Sequence, residues 1–581
     1  MSKGKVFDPV LLTRIIRYVK PYKKTFAFTG FLTLLLGLLG PVRPIIIQYT
    51  LDNAILNPNT DLLLKLTILM VLVLVIETFI QFFQTYYANW VGQTVIKDMR
   101  MEVYGKISAF KLKYFDTNAI GTLVTRAVSD IETIADVFSN GVLIIVGDLL
   151  KLIIIIVVMF VTDWRLALIS MSTIPVLIFA TKLFNSNIKK SFQAVRTNVS
   201  KLNAFVQEHI TGMNIVQIFN RESAEYDKFK NINKEHRNAH INTVWANAIF
   251  FPTVELLSAV ALALVVWFGS QGLLAKEVSF GNLVAFILYI HMLFRPIRQL
   301  ADRFNTLQMG MVSSDRVFKI LDTDSKIENS GTITGRDLKG EIEFRNLWFS
   351  YNTDNWILKD LNFKVKQGET IAFVGPTGAG KSSIVNLINR MYEFQKGDIL
   401  MDGISIKKYE QNFIRRRIGV VLQDVFLFSD TIFNNITLNN PNVDLEEVQA
   451  AAKEVGAHDF IMKLPDNYHF NVGERGGVLS VGQRQLLAFI RAYLYDPDVL
   501  ILDEATSSID SESESLIQKA TEKLTKDRTS IIIAHRLATI QKAYRIYVMK
   551  KGEIIENGNH QKLLALNGAY KKLYDIQFVE D

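Results

Sequence analysis

The sequence predicts a multi-domain chain in which a six-helix transmembrane domain is followed by a soluble α/β domain built around a phosphate-binding loop. Residues 1–320 carry apolar runs near membrane-spanning length, while from about residue 341 short apolar strands alternate with helical periodicity. Hydrophobic residues make up 49% of the 581 and charged residues still make up 21%, as expected when a membrane portion is fused to a soluble one. A chain of this length also exceeds what one core holds.

Six apolar runs, at about 25–48, 62–86, 140–162, 165–185, 244–270 and 279–300, are expected to cross the bilayer. The basic start (KGK, Arg14, Arg17, Lys20, Lys23, Lys24) has no small-residue cleavage site after its first apolar run, so that run is expected to remain as a span. The loop 49–61 contains no Lys or Arg, whereas segment 97–126 carries Lys97, Arg100, Lys106, Lys111, Lys113 and Arg126. The positive-inside bias therefore places the N-terminus and the second-to-third connection in the cytosol of a cytoplasmic (inner) membrane protein. Much of the net charge of +8 has this topological origin, and nucleic-acid binding is not expected. There are no cysteines, which excludes disulfides and thiolate metal sites.

The connections between spans two and three, and between four and five, are long and helical in pattern. About 25 extra helical residues would reach roughly 35–40 Å past the bilayer. Their turns, 110–126 and 219–229, are the candidate contact points with something beyond the membrane. Residues 321–340 read as a polar linker, and 341–581 as the soluble domain. There EIEFRNLWFSY, ILKDLNFKV, ETIAFVG, VLILD and SIIIAH read as strands, and KSSIVNLINRMY as a helix.

The run Gly375, Pro376, Thr377, Gly378, Ala379, Gly380, Lys381, Ser382, Ser383 follows a strand and opens a helix, the context a phosphate loop requires. Its glycines let backbone N–H groups wrap the phosphates of ATP, and the helix N-terminus adds a favourable dipole. Lys381 is expected to reach the β- and γ-phosphates and Ser382 the Mg²⁺. Asp503, at the tip of the VLILD strand, is expected to bind Mg²⁺ through water. Glu504 follows as the candidate to orient the attacking water. His535, ending another apolar strand, is the candidate γ-phosphate contact, and Gln423 a loop sensor of Mg²⁺ or water. Tyr351 lies 24 residues before the loop and can stack on adenine, although an aromatic there equally suits the core. Phosphoryl transfer needs mostly positioning and charge neutralisation, which these residue types supply.

Together, Tyr351, GPTGAGKSS, Gln423, VGERGGVLSVGQRQ, VLILDEATSSID and AHR stand in the order and spacing of an ABC ATPase. With six preceding spans, the chain resembles the half-transporters of bacterial multidrug-type ABC exporters over essentially its whole length. That resemblance implies ATP-driven export of hydrophobic or amphiphilic compounds by alternating access between inward-open and outward-open states. Two half-transporters would assemble in the lipid bilayer, with ATP held between the phosphate loop of one and the signature of the other. It also implies that 110–126 and 219–229 hold the coupling helices. A lipid flippase shares every motif, and a non-transporting ATP-gated regulatory membrane protein is a third reading.

Within this family the signature reads LSGGQ; here it is Ser480, Val481, Gly482, Gln483 after Leu479. A β-branched residue for glycine is expected to restrict φ/ψ and to crowd the partner's γ-phosphate. The following loop, SSID ending at Asp510, also departs from the commoner SALD. Because this chain keeps Lys381 and Glu504, the defect falls on the partner's nucleotide, and the favoured expectation is a heterodimer with one degenerate site. A homodimer is the alternative.

Ionisable residues inside the apolar runs are the remaining candidates. Asp148 and Lys151, three apart on one helical face, are expected to neutralise each other. Glu77 and Glu255 lack an obvious local partner and are expected to line a cavity favouring cationic amphiphiles. The PVRP stretch (41–44) is expected to kink the first span.

Overall fold

The computed structural model describes residues 9–137, 143–327, 329–335, 337–352, 355–503, 511–533 and 537–578. The chain forms two compact units, Met1–Ser108 with Ile120–Thr323, and Ala109–Ala119 with Asp324–Asp581.

Helices run in the order α1 (Pro9–Arg17), α2 (Lys23–Leu39), α3 (Val42–Thr50), α4 (Thr60–Ser108) and α5 (Leu112–Thr117), the last belonging to the second unit. The first unit continues with α6 (Ile120–Thr125), α7 (Ile131–Asp136), α8 (Leu143–Thr162), α9 (Trp164–Met171), α10 (Ile174–Thr211), α11 (Met213–Ile218), α12 (Glu222–Leu274) and α13 (Phe280–Asp322). Among the described residues, five helical stretches are long and apolar enough to cross a membrane: Lys20–Ile55, Thr60–Ser108, Ile144–Thr162, Trp164–Phe184 and Glu222–Leu274. A further apolar stretch, Phe280–Pro296, opens the 43-residue helix α13. Helix α4 has 49 residues and α12 has 53, so each extends for about 70–80 Å, more than twice a hydrocarbon core.

The first span breaks between Leu39 and Val42, at the Gly40–Pro41 step, because Pro41 cannot donate to the preceding turn. The turn before α12 lies over Phe219–Arg221, following the short helix α11; from Glu222 onward, residues of the expected 219–229 turn already belong to α12. The packed interior of this unit is apolar and aromatic, with Met159, Val254, Ala261, Val265, Phe286, Tyr289 and Phe294 at its centre.

Two charge pairings differ from the sequence expectation. Glu77 is not without a partner: Arg43 on α3 approaches it at 3.1 Å. The Pro41 break starts α3 where Arg43 can reach α4, and a carboxylate in an apolar helix gains most from such a cation. Asp148 pairs with Arg303 of α13 at 3.1 Å rather than with Lys151 alone, since the helix packed against α8 offers a guanidinium. Glu255 lies exposed on α12, beside Phe251, Pro252 and Leu256.

The second unit holds two sheets. Strands β1 (Ile342–Phe349), β2 (Leu358–Val365), β4 (Lys396–Met401) and β5 (Ile404–Ser405) form an antiparallel sheet in the order β2-β1-β4-β5. Strands β3 (Thr370–Val374), β6 (Ile418–Val421), β7 (Val499–Asp503), β8 (Thr529–Ile533), β9 (Arg545–Lys550) and β10 (Glu553–Gly558) form the second, in the order β10-β9-β3-β8-β7-β6. Its strands β9, β3, β8, β7 and β6 are parallel, and only β10 runs against its neighbour. These parallel strands are near-continuous hydrophobic runs because both faces are covered: one by the antiparallel sheet and α14 (Lys381–Ile388), the other by helices α16 (Ile432–Thr437), α17 (Leu445–Val455) and α19 (Val481–Leu494). Helices α15 (Gln411–Arg417) and α18 (His458–Met462) complete the run to the signature.

Candidate nucleotide site

The phosphate loop connects buried strand β3 to α14, at the carboxyl edge of the parallel sheet where ligands of such sheets bind. Its glycines are required by the backbone. Gly375 has φ +151°, and a Cβ there would stand 2.3 Å from the Met549 carbonyl oxygen. Gly380 has φ +104° as the residue before α14, and its Cβ would meet Leu358 at 2.7 Å. Gly378, at φ +80°, faces open space, so there glycine serves conformation alone.

Lys381 is only 7% exposed, and its Nζ folds back to donate to the carbonyl oxygens of Gly375 (2.6 Å) and Pro376 (3.2 Å). Burial holds its ammonium below the usual lysine range, with the Asp503 charge opposing. Asp503 ends β7, one strand removed from β3, and burial pushes its carboxyl above the usual range; the Ser382 hydroxyl and Lys381 work against that rise, and Asp424 adds to it. The adjacent Lys381 and Ser382 are thus brought together at one edge with Asp503, which is distant in sequence. The loop's cation is held by backbone oxygens that a triphosphate can replace. Ser382 beside Asp503 is a pair of hard oxygens of the kind that Mg²⁺ shares with nucleotide and water.

Tyr351 is half-buried just after β1. Its phenol oxygen meets Ser383 Oγ and Asn386 Nδ2, both at 3.1 Å, and its ring stands edge-on to Phe349 (4.7 Å, 78°) and Tyr392 (4.8 Å, 89°). It is therefore packed against the antiparallel sheet and anchored to α14 at once. Gln423 is exposed, two residues after β6. Glu504, Asp510 and His535 lie outside the described residues.

At the signature, Ser480 is the N-cap of α19. Its hydroxyl accepts from Gln483 N–H (3.2 Å) and the Gln483 side chain accepts from Ser480 N–H (3.0 Å), a complete capping box. Arg484 closes the turn from behind by donating to the Leu479 carbonyl at 2.9 Å. Val481 is the first residue of the helix and does not have positive φ. The expectation that valine strains this backbone is therefore corrected: any L-residue adopts a helical first position, and the cap supplies the turn. The steric half of the expectation stands apart from this, since the Val481 side chain is 43% exposed beside Ser480.

The sequence reading took Lys113 only for its charge and passed over Asp116 and Tyr392. Lys113 Nζ donates to the Tyr351 carbonyl oxygen at 2.6 Å, and the Tyr392 hydroxyl donates to Asp116. The lysine-rich 110–126 segment drew attention as a contact point, but the residues it meets lie far along the chain.

Comparison with known families agrees with this architecture. Residues 26–297 match the ABC transporter transmembrane region, and residues 358–507 match the ABC transporter family model. The chain is 38% identical, over 99% of its length and 96% of the relative's, to an uncharacterized ABC transporter ATP-binding protein of Bacillus subtilis. It is 35% identical, over 98% and 99%, to a putative multidrug export ATP-binding/permease protein of the same organism. It is 34% identical, over 98% and 95%, to an ATP-dependent lipid A-core flippase of Syntrophus aciditrophicus. A helical membrane region and an ATP-binding α/β domain joined in one polypeptide, matched end to end, place the chain in the ABC transporter family as a fused half-transporter whose ATP hydrolysis is coupled to transport.

Proposed function

We propose that the chain is one half of an ATP-driven exporter of hydrophobic or amphiphilic compounds in the cytoplasmic membrane, with its ATPase domain in the cytosol. The observation that carries this reading is the pre-built phosphate edge: buried Lys381 on carbonyls that a nucleotide can displace, with Ser382 and Asp503 alongside. Relatives named for multidrug export support the transported class. Lys381 binds the β- and γ-phosphates, the loop N–H groups wrap them, and Tyr351 offers an aromatic face to the base. Mg²⁺, held by Ser382, by Asp503 through water and by Gln423, would supply charge neutralisation on the phosphates. Glu504 orients the attacking water and His535 contacts the γ-phosphate.

The signature Ser480, Val481, Gly482 and Gln483, together with Asp510, serves a nucleotide held by a second half-transporter. That partner is a different chain with an intact signature, because Val481 stands where the partner's phosphate approaches while this chain's own Lys381 and Asp503 are fully equipped. ATP binding draws the pair together, the long helices carry that closure to the spans, and hydrolysis releases it. Glu77, with Arg43 beside it, and Glu255 are the candidate cavity residues for contact with cationic substrates.

A second reading, lipid translocation, is favoured by the flippase relative. Proteoliposomes containing this chain and its co-expressed partner separate the two. ATP-dependent accumulation of a cationic amphiphilic dye is expected; movement of a fluorescent phospholipid without the dye would support the flippase. Hydrolysis with movement of neither would overturn both in favour of a regulatory ATPase.

A further inference from the structure

Segment 109–119 makes a second set of contacts within its own unit, on the base side of the nucleotide site. Lys111 N–H donates to the Ser325 carbonyl at 2.7 Å, Lys113 Nζ donates to the Tyr351 carbonyl at 2.6 Å, and the Tyr392 hydroxyl donates to Asp116. The last two are charge-assisted bonds and converge on neighbouring aromatic rings. Tyr392 is 9% exposed, with its ring 4.8 Å from that of Tyr351 at 89°. Tyr351 in turn meets Ser383 and Asn386 on α14, the helix that begins at Lys381. Helix α5 is thereby linked by direct contacts to Tyr351 and, through it, to the helix behind the phosphates. Burial and the Asp116 carboxylate both push the Tyr392 phenol well above its usual range, so it remains a donor at every physiological pH.

We propose that Lys113 and Asp116 are positioning residues for ATP. Lys113 fixes the backbone of Tyr351 and Asp116 fixes the ring of Tyr392, so the affinity of this chain for the base of ATP depends on α5 being seated in its own unit. Tyr351 follows the end of β1 in an irregular segment, and ordering such a segment in advance removes a cost otherwise met on binding. The proposal rests on Tyr351 as the base-stacking residue and goes further in naming what sets its place.

The test is equilibrium binding of ATP, and separately of inorganic tripolyphosphate, to the full chain in lipid nanodiscs with EDTA present. Lys113→Met and Asp116→Ala are each expected to weaken ATP binding about three- to tenfold, the range of a typical net hydrogen bond, because each bond acts on ATP only through the segment it orders. Tripolyphosphate binding is expected to stay unchanged, because the rings touch only the base. Lys113→Arg is expected to restore binding, which general loosening of the fold would not allow. Tyr392→Phe keeps the ring and removes the bond; it is expected to match Asp116→Ala, and the double variant to add nothing further. If Tyr351→Ala weakens ATP binding while Lys113→Met and Asp116→Ala leave it unchanged, the positioning role is wrong and the base-stacking reading survives. If Tyr351→Ala leaves ATP binding unchanged, the base-stacking reading fails and the positioning proposal with it. Equal loss of tripolyphosphate affinity in the α5 variants would also overturn it.

Discussion

The phosphate loop and the signature turn both present glycine-bearing sequence at the start of a helix, yet they depend on glycine for different reasons. At Gly375 and Gly380 the backbone lies at positive φ, and a Cβ would run into Met549 or Leu358. At Val481 the backbone is helical, Ser480 and Gln483 form the cap, and the side chain projects outward. Glycine in the first turn is a condition of folding; at the signature's first glycine position it concerns only what comes to meet the turn. Val481 is therefore compatible with a well-formed ATPase domain; under the proposed pairing its consequence falls on the nucleotide of the second subunit.

The comparison can be broken at either turn. Lys381→Ala is expected to lower ATP hydrolysis by about 100-fold or more while the protein still folds, since it removes charge aimed at the transferred phosphate; hydrolysis within tenfold of wild type would show that the loop is not the catalytic centre. Gly375→Ala is expected to lower the melting temperature by about 5–10 °C, from a Cβ 2.3 Å from a carbonyl oxygen and a disfavoured φ. Ser480→Ala removes the hydroxyl half of the capping box and is expected to cost about 1 kcal/mol, or about 2–4 °C, in thermal denaturation of the full chain.

Asp503→Asn should work in the opposite direction in the nucleotide-free protein. The folded-state pKa of Asp503 is raised by burial, so its charged form is less stable in the fold than in the unfolded chain. The variant is then expected to melt higher than wild type at neutral pH. That gain should shrink as pH falls through the raised folded value and vanish below the unfolded value of about 3.9, where wild type is protonated in both states. A lower melting temperature at pH 7 would show that the Ser382 and Lys381 contacts outweigh burial.

Much of this was legible in the sequence where the signal is local. The phosphate loop and the core strands β3, β7 and β8 could be read because each is a contiguous run whose pattern depends on its own backbone, whereas the parallel strands β6 and β9 were not read. What failed to show was pairing across the chain. Glu77 looked unpartnered because Arg43 lies 34 residues away, on α3 before the turn that leads into α4, and Asp148 looked bound to Lys151 because Arg303 arrives from a different helix. The Lys113–Tyr351 and Asp116–Tyr392 contacts were invisible for the same reason. Val481 was misjudged on a signal that was present: Ser480 followed three residues later by Gln483 is a capping-box spacing, and it announces a helix start that does not need glycine.

The decisive measurement is the ATPase rate and melting temperature of the chain purified alone, as wild type and as Val481→Gly. If Val481 harms only what a second subunit presents to it, wild type alone turns over slowly, and Val481→Gly raises the rate about tenfold or more with a melting temperature within about 2 °C. Full turnover by wild type alone, with no gain in Val481→Gly, would contradict the account and make the chain a homodimeric exporter that tolerates valine in its signature.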